Sequence, residues 1–230
     1  MKNILDVKHL HIEFNGASIL EDISFSVEEG SVLAVIGPNG AGKTMLLKSL
    51  IGLIPCRGEI TWRRGVRIGY VPQRMDIETD VPLTVNEFFS LRGSEVTGDK
   101  IKKALDSVQL NPKILTSGLG EISVGQRQRV LVAWAALGEP DVLLFDEPTA
   151  DIDITGQESI YKMLYNLQKE KGLTMLIVSH DLNVVYKHAQ SVLCLNRKNL
   201  CYGPPRTVLD SETLQGLYGG DKAFFQHKHG

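Results

Sequence analysis

Eight consecutive residues, Gly37-Pro38-Asn39-Gly40-Ala41-Gly42-Lys43-Thr44, define the sharpest chemistry in this chain by type and spacing. They fit G-x-x-x-x-G-K-[ST] and lie between an apolar run at 32–36 and an apolar, helix-period run at 45–50. In that pattern the glycines let successive backbone N–H groups turn toward one anion, and the following helix N-terminus adds partial positive charge. Phosphate is the natural occupant. Lys43 reaches the β- and γ-phosphates as a mobile cation, and the Thr44 hydroxyl is a Mg²⁺ ligand. A plain glycine turn between two core elements accounts for neither Lys43 nor Thr44.

A second group of reactive side chains lies further along. The run Asp141-Val142-Leu143-Leu144-Phe145 has the continuous apolar character of a strand buried on both faces of a parallel sheet, and Asp146-Glu147-Pro148 stop it. Two adjacent carboxylates at a strand end are costly to bury without a cation, which Mg²⁺ supplies. Ligands of open parallel sheets bind outside the carboxyl ends of strands, where the phosphate loop and Asp146-Glu147 both fall. Asp146 is then the metal-side acid, and Glu147 orients or deprotonates an attacking water. His180, in Ser179-His180-Asp181, ends another apolar run and reads either as a structural histidine or as part of the same site. Gln73 follows the strand-like Tyr70-Val71 and is a turn residue or a site amide. Ser123-Val124-Gly125-Gln126 opens a helix, Ser123 being an N-cap or part of a second anion seat. Phe14, on an alternating strand with Leu10 and Ile12, is a core residue or a platform for a purine.

The elements that must hold these groups follow from periodicity. Alternation before and after Asn15-Gly16 predicts a small antiparallel sheet within 3–35, and a helix over 44–53 ends at Ile54-Pro55. Residues 58–71 read as strands. From 84 to 136 the pattern turns helical, with Thr84 and Glu87 as a capping box, a helix over 99–110, a loop over 111–121 and a helix from Ser123 to Leu137. An amphipathic helix over 156–170 ends at Gly172 and precedes a buried strand at 174–178. A hairpin through 192–195 and 200–202 and one short helix over 205–217 follow, and His227 and His229 lie in a terminal stretch.

Composition narrows the function classes. The 230 residues carry 25 basic and 27 acidic side chains, a net charge of −2, so no general attraction to nucleic acid or anionic lipid is expected. Cys56, Cys194 and Cys201 lack C-x-x-C spacing and read as buried, reduced small hydrophobes in a reducing compartment. No apolar run is long enough to span a bilayer, so a membrane role is expected to come through a partner.

The order Gly37–Thr44, Gln73, Ser123–Gln126, Asp146-Glu147, His180 resembles the nucleotide-binding subunit of ATP-binding cassette transporters over nearly the whole chain. The resemblance implies an α/β fold: a P-loop NTPase core, mostly parallel sheet flanked by helices, with an N-terminal antiparallel β-subdomain and an inserted α-helical subdomain. It implies a single ATP-binding domain over 1–230. About 1–75 and 138–205 form the core with its β-subdomain, about 76–137 the helical subdomain, and 206–230 a C-terminal helix and histidine-containing tail. It assigns Phe14 to adenine stacking, Gln73 to sensing Mg²⁺ and the membrane partner, and His180 to the γ-phosphate. Ser123, Gly125 and Gln126 cap the γ-phosphate held by a second copy, and Asp153 crosses the dimer interface. Val124 departs from the usual glycine of that signature and puts a β-branched side chain near the partner's phosphate. The segments Arg67–Arg74, Leu83–Asn86, Val178–Leu182 and Val192–Asn196 look most like the ATP-binding subunit of bacterial zinc/manganese uptake systems. The implied protein is a Mg²⁺-dependent ATPase and homodimer on the cytoplasmic face of the inner membrane. It is bound to polytopic permease subunits and indirectly to an extracytoplasmic solute-binding protein, without nucleic acid. A soluble cassette ATPase for assembly or repair, an importer ATPase for another solute such as a metal chelate, a non-hydrolysing nucleotide switch and a small-molecule kinase are the rival readings.

Overall fold

The computed structural model describes residues 2–74, 82–93 and 96–219. Twelve-residue strands β1 (Asn3–Phe14) and β2 (Ala17–Glu28) pair antiparallel through Asn15-Gly16, both at positive φ (50° and 77°), as a two-residue hairpin with the matching twist requires. The outer partner of β1 is not the next strand but β4 (Arg57–Trp62), giving a three-stranded sheet ordered β2-β1-β4. Between them the chain dips into a second sheet through β3 (Val32–Ile36) and α1 (Lys43–Leu50).

The second sheet contains β5 (Ile68–Val71), β6 (Val142–Phe145), β7 (Thr174–Val178), β8 (Ser191–Asn196) and β9 (Lys198–Gly203), ordered β5-β6-β7-β3-β8-β9. All neighbours are parallel except the β8–β9 hairpin. The continuous apolar runs become strands because both faces are covered. Val142 and Leu144 face the cluster built on the antiparallel sheet and α1, whereas Leu143 and Phe145 face the helical side.

Helices α2 (Val85–Ser90), α3 (Gly98–Ser107) and α4 (Val124–Ala136) supply that second face, joined by a 3₁₀ turn at Pro112–Thr116. Thr84 Oγ1 accepts from the Glu87 N–H at 3.2 Å and Glu87 returns the favour to the Thr84 N–H at 2.8 Å, the expected capping box. Helix α5 (Ile154–Lys171) stops at Gly172, whose φ of 63° closes the helix.

Several expectations are corrected. Phe14, the last residue of β1 beside the Asn15-Gly16 turn, is 56% exposed although Leu10 and Ile12 before it are buried, so it is not a core residue. A short helix α6 (Leu182–His188) stands where none was expected. The single C-terminal helix is two, α7 (Pro205–Val208) and α8 (Ser211–Tyr218), because Asp210 caps the second by accepting from the Thr213 N–H at 2.7 Å. The cysteine reading fails twice. Cys194 and Cys201 are directly opposed in the β8–β9 register, Cα atoms 4.8 Å apart, and are joined by a disulfide, while Cys56 is exposed. His227 and His229 lie outside the described residues.

Candidate functional site

The strand order places the chemistry. Because β5, β6, β7 and β3 are consecutive neighbours, their carboxyl ends bring Gln73, Asp146-Glu147, His180 and the glycine loop side by side. A cleft of about 480 Å³ opens there, lined by Phe14, Ile19, residues 39–45, Gln73 and Glu147.

The loop is held from below by close backbone contact. A Cβ on Gly37 would stand 2.0 Å from the Leu195 carbonyl oxygen, and one on Gly42 2.5 Å from Leu20 Cδ2, at φ values of 157° and 94°. Gly42 is also the N-cap of α1 and offers no side-chain acceptor, so the first N–H groups of that helix stay available to a ligand. Lys43 folds back into the loop it ends. Its ammonium donates to the Gly37 and Pro38 carbonyls at 2.9 and 3.0 Å, lies 3.6 Å from Glu147 Oε1, and is only 6% exposed. Desolvation drives the Lys43 pKa down, with Glu147 opposing it.

Asp146 is 2% exposed at the end of β6. Its Oδ1 accepts from Thr44 Oγ1 at 3.0 Å and its Oδ2 from the Tyr70 hydroxyl at 3.3 Å. Burial raises the Asp146 pKa and, more strongly, that of Tyr70, which remains a neutral donor. A hydroxyl and a carboxylate oxygen converging at the mouth of the loop are hard donors of the type Mg²⁺ takes, and they fit such an ion.

Glu147 gathers three donors. Gln73 Nε2 reaches its Oε2 at 3.0 Å, His180 Nε2 its Oε1 at 2.6 Å, and Lys43 approaches the same Oε1. The His180 hydrogen bond, ahead of opposing burial, holds the Glu147 pKa below the usual carboxylate range, so the group is ionised at neutral pH. Its backbone is at φ 50°, a left-handed conformation costing a non-glycine residue on the order of 1–3 kcal/mol and typical of functional positions.

Phe14, Asn39, Gly40, Ala41, Gly42, Lys43, Thr44, Gln73 and Glu147 thus share one cleft, with Gly37 and Pro38 beneath Lys43, Asp146 on Thr44 and His180 on Glu147. Ser123, Gly125, Gln126 and Asp153 do not line it. Ser123 and Gln126 cap α4 reciprocally, at 3.2 and 3.0 Å, while Val124 beside them is 47% exposed. Asp153 sits at the N-cap of α5 without a capping hydrogen bond from its side chain. Residues missed from the sequence include Ile19 on the cleft wall, Tyr70 on Asp146 and the two-pronged ion pair of Arg74 with Asp151, at 2.8 Å in each arm. Tyr70 precedes the strand end by one residue and faces Leu144 in the β5–β6 register, a relation no linear spacing carries.

Residues 20–150 match the family model described as ABC transporter, and the chain is 35% identical to the zinc import ATP-binding protein ZnuC of Haemophilus influenzae over 98% of this chain and 85% of that protein. The chain belongs to the ABC transporter family. The zinc import ATP-binding protein ZnuC of Yersinia pestis is 37% identical across 100% of this chain and 92% of its own. Among solved structures, cbiO1 from Clostridium perfringens, part of the ABC transporter complex cbiONQ, superposes with a TM-score of 0.78 at 26% identity over 93% of each chain. Its mixed α/β architecture is accordingly that of ABC ATP-binding subunits, as the sequence resemblance implied.

The buried Asp146 gives a pH test. Its folded pKa is raised, so the folded chain holds that proton more tightly than the unfolded chain. Ionisation therefore costs stability, and the cost develops as pH rises from the unfolded carboxylate value near about 4 through the folded one. Without Mg²⁺ or nucleotide, Asp146→Asn should raise the thermal midpoint by a few degrees at pH 7 and lose that advantage near pH 3. A lower midpoint than wild type at pH 7 would contradict the assignment of burial as the dominant cause.

Proposed function

We propose that this chain is the ATP-hydrolysing subunit of an ABC importer and that the solute its permease carries is zinc. The observation that carries the hydrolytic part is the convergence of Gln73, His180 and Lys43 on the single carboxylate of Glu147 at the mouth of the glycine loop. The solute comes from likeness: the ZnuC proteins named above are zinc import ATP-binding proteins matched over almost the whole chain. Manganese, the other ion of the subfamily resemblance, is the runner-up solute.

The residues divide the work as follows. Phe14 offers its exposed ring to the adenine, and the N–H groups of residues 39–44 receive the phosphates. Lys43 exchanges the Gly37 and Pro38 carbonyls for β- and γ-phosphate oxygens, which leaves Oε1 of Glu147 to His180 alone. Thr44 and Asp146, with Gln73 nearby, would hold Mg²⁺, which supplies charge neutralisation at the phosphates when bound. Glu147 accepts a hydrogen bond from the attacking water, aligns it and takes its proton, while His180 steadies both Glu147 and the γ-phosphate. The transition state is loose, so positioning and charge do most of the catalysis.

Ser123, Gly125 and Gln126 lie away from the cleft of their own chain, which fits contribution to the site of a second copy, with Asp153 at the contact and Val124 on the docking face. Two ATP molecules then hold the dimer closed, and hydrolysis releases it to drive the permease. The β-subdomain and core over about 1–75 and 138–205 carry the nucleotide, and the helical part over about 76–137 faces the permease together with Gln73. Among the described residues no helix is long and apolar enough to cross a membrane. In this reading the subunit sits peripherally on the cytoplasmic face of the inner membrane through its polytopic partner. An extracytoplasmic solute-binding protein delivers the ion on the far side.

Glu147→Gln should retain ATP binding, accumulate as an ATP-bound dimer on size exclusion, and lose steady-state hydrolysis by about 100-fold or more. Turnover within a factor of about two of wild type would remove Glu147 as the base. Shared sites make a further prediction. Lys43→Ala and Ser123→Ala chains, each inactive alone, should regain about a quarter of the wild-type rate when mixed, since about half the dimers are mixed and each holds one intact site. A mixture no more active than its parents would contradict sites built from two copies.

A further inference from the structure

Glu147 and His180 meet at 2.6 Å, yet they belong to different irregular segments, one after β6 and one after β7. The segment that carries Glu147 is under backbone strain at two non-glycine positions, Glu147 at φ 50° and Asp151 at φ 64°. Something must hold both segments in register. The side chain placed to do so is Tyr161, on α5, which is 4% exposed and has no part in the chemistry described above. Its hydroxyl accepts from Thr149 Oγ1 at 3.2 Å, two residues beyond Glu147, and lies 3.0 Å from Ser179 Oγ, immediately before His180. Ser179, itself 2% exposed, also accepts from the Asp181 N–H at 3.1 Å, so the chain of hydrogen bonds brackets His180 on both sides.

The ring is braced as well. Tyr161 stacks on Tyr165 with centroids 6.4 Å apart, and Tyr165 stacks on His188 of α6 at 3.6 Å. Burial raises the Tyr161 pKa, so the phenol keeps its proton and stays a donor. Glu147, Thr149, Tyr161, Ser179 and His180 all line one groove, which shares Glu147 with the cleft that holds Phe14.

We infer that Tyr161 is a positioning residue for hydrolysis: its hydroxyl ties Thr149 to Ser179 and thereby holds the Glu147 carboxylate and the His180 imidazole in mutual reach. It touches no substrate, and the inference rests on the roles given to Glu147 and His180 above. A hydroxyl that only filled space would affect folding; one that sets the angle between two reacting groups affects the rate of the chemical step and leaves nucleotide binding alone.

The test uses the full chain with Mg²⁺ and ATP. Tyr161→Phe removes one oxygen and keeps the ring; Thr149→Val breaks the same link from the other side, and serves if the first variant folds poorly. Both should lower kcat by about 10-fold with KM and equilibrium ATP affinity within about twofold of wild type. Thr149→Ser should recover kcat to within about twofold, and the Tyr161→Phe/Thr149→Val double variant should be no slower than the worse single, because both cut one link. The inference is overturned if kcat in folded Tyr161→Phe stays within about twofold of wild type, if KM and affinity change as much as kcat, or if the two losses multiply. A wild-type chain with no ATP hydrolysis would instead overturn the proposed function.

Discussion

A protonated amine with almost no access to water, held by two backbone carbonyls, is the interaction on which the rest of this structure depends. Lys43 cannot be sequestered cheaply: desolvation drives its pKa down, Glu147 and then Asp146 oppose that, and the Gly37 and Pro38 carbonyls accept its N–H groups. The arrangement needs a loop that curls around its own last side chain, hence glycine at Gly37 and Gly42, where β2 and β8 press against the backbone. It needs a buried strand before and a helix after to fix the ends of that loop. It also leaves the ammonium poised to trade carbonyl dipoles for a full negative charge, the trade that a triphosphate makes favourable.

From that constraint the sheet order acquires its meaning. The nearest carboxylate to Lys43 belongs to the strand two places away, so β7 lies between, and its end delivers His180 to the other side of Glu147. Gln73 arrives from β5 at the outer edge. Three groups from three segments share the hydrogen-bonding capacity of one carboxylate. A displacement of any one of them would therefore alter the hydrogen bonding of Glu147.

Much of this was legible in the linear chain, and the parts that were not share a cause. The loop, the acid pair and His180 could be read because each interrupts an apolar run at a strand end, a local signal. The capping box at Thr84 and the N-cap at Ser123 are local too, and both formed, although Ser123 satisfies its cap within its own chain and so leaves its second role to an argument about two copies. What escaped depends on register. Alternation alone left Phe14 between core and cleft; at the end of β1 it is exposed and lines the cleft. The Cys194–Cys201 bond and the Tyr70–Asp146 contact exist because particular residues oppose or neighbour each other across strands. Nothing in the helical pattern over 156–170 singles out Tyr161, and only the meeting of three segments shows that its hydroxyl bridges Thr149 and Ser179.

The central claim is that the buried ammonium is reserved for phosphate. Equilibrium titration of ATP with Mg²⁺ into the wild-type chain and into Lys43→Met tests it most directly, since methionine keeps the bulk and removes the charge. The account predicts saturable binding at one site per chain for wild type and a loss of about 100-fold or more in affinity for the variant, the scale of one or two charge-assisted hydrogen bonds. Equal affinity in the two chains would contradict it.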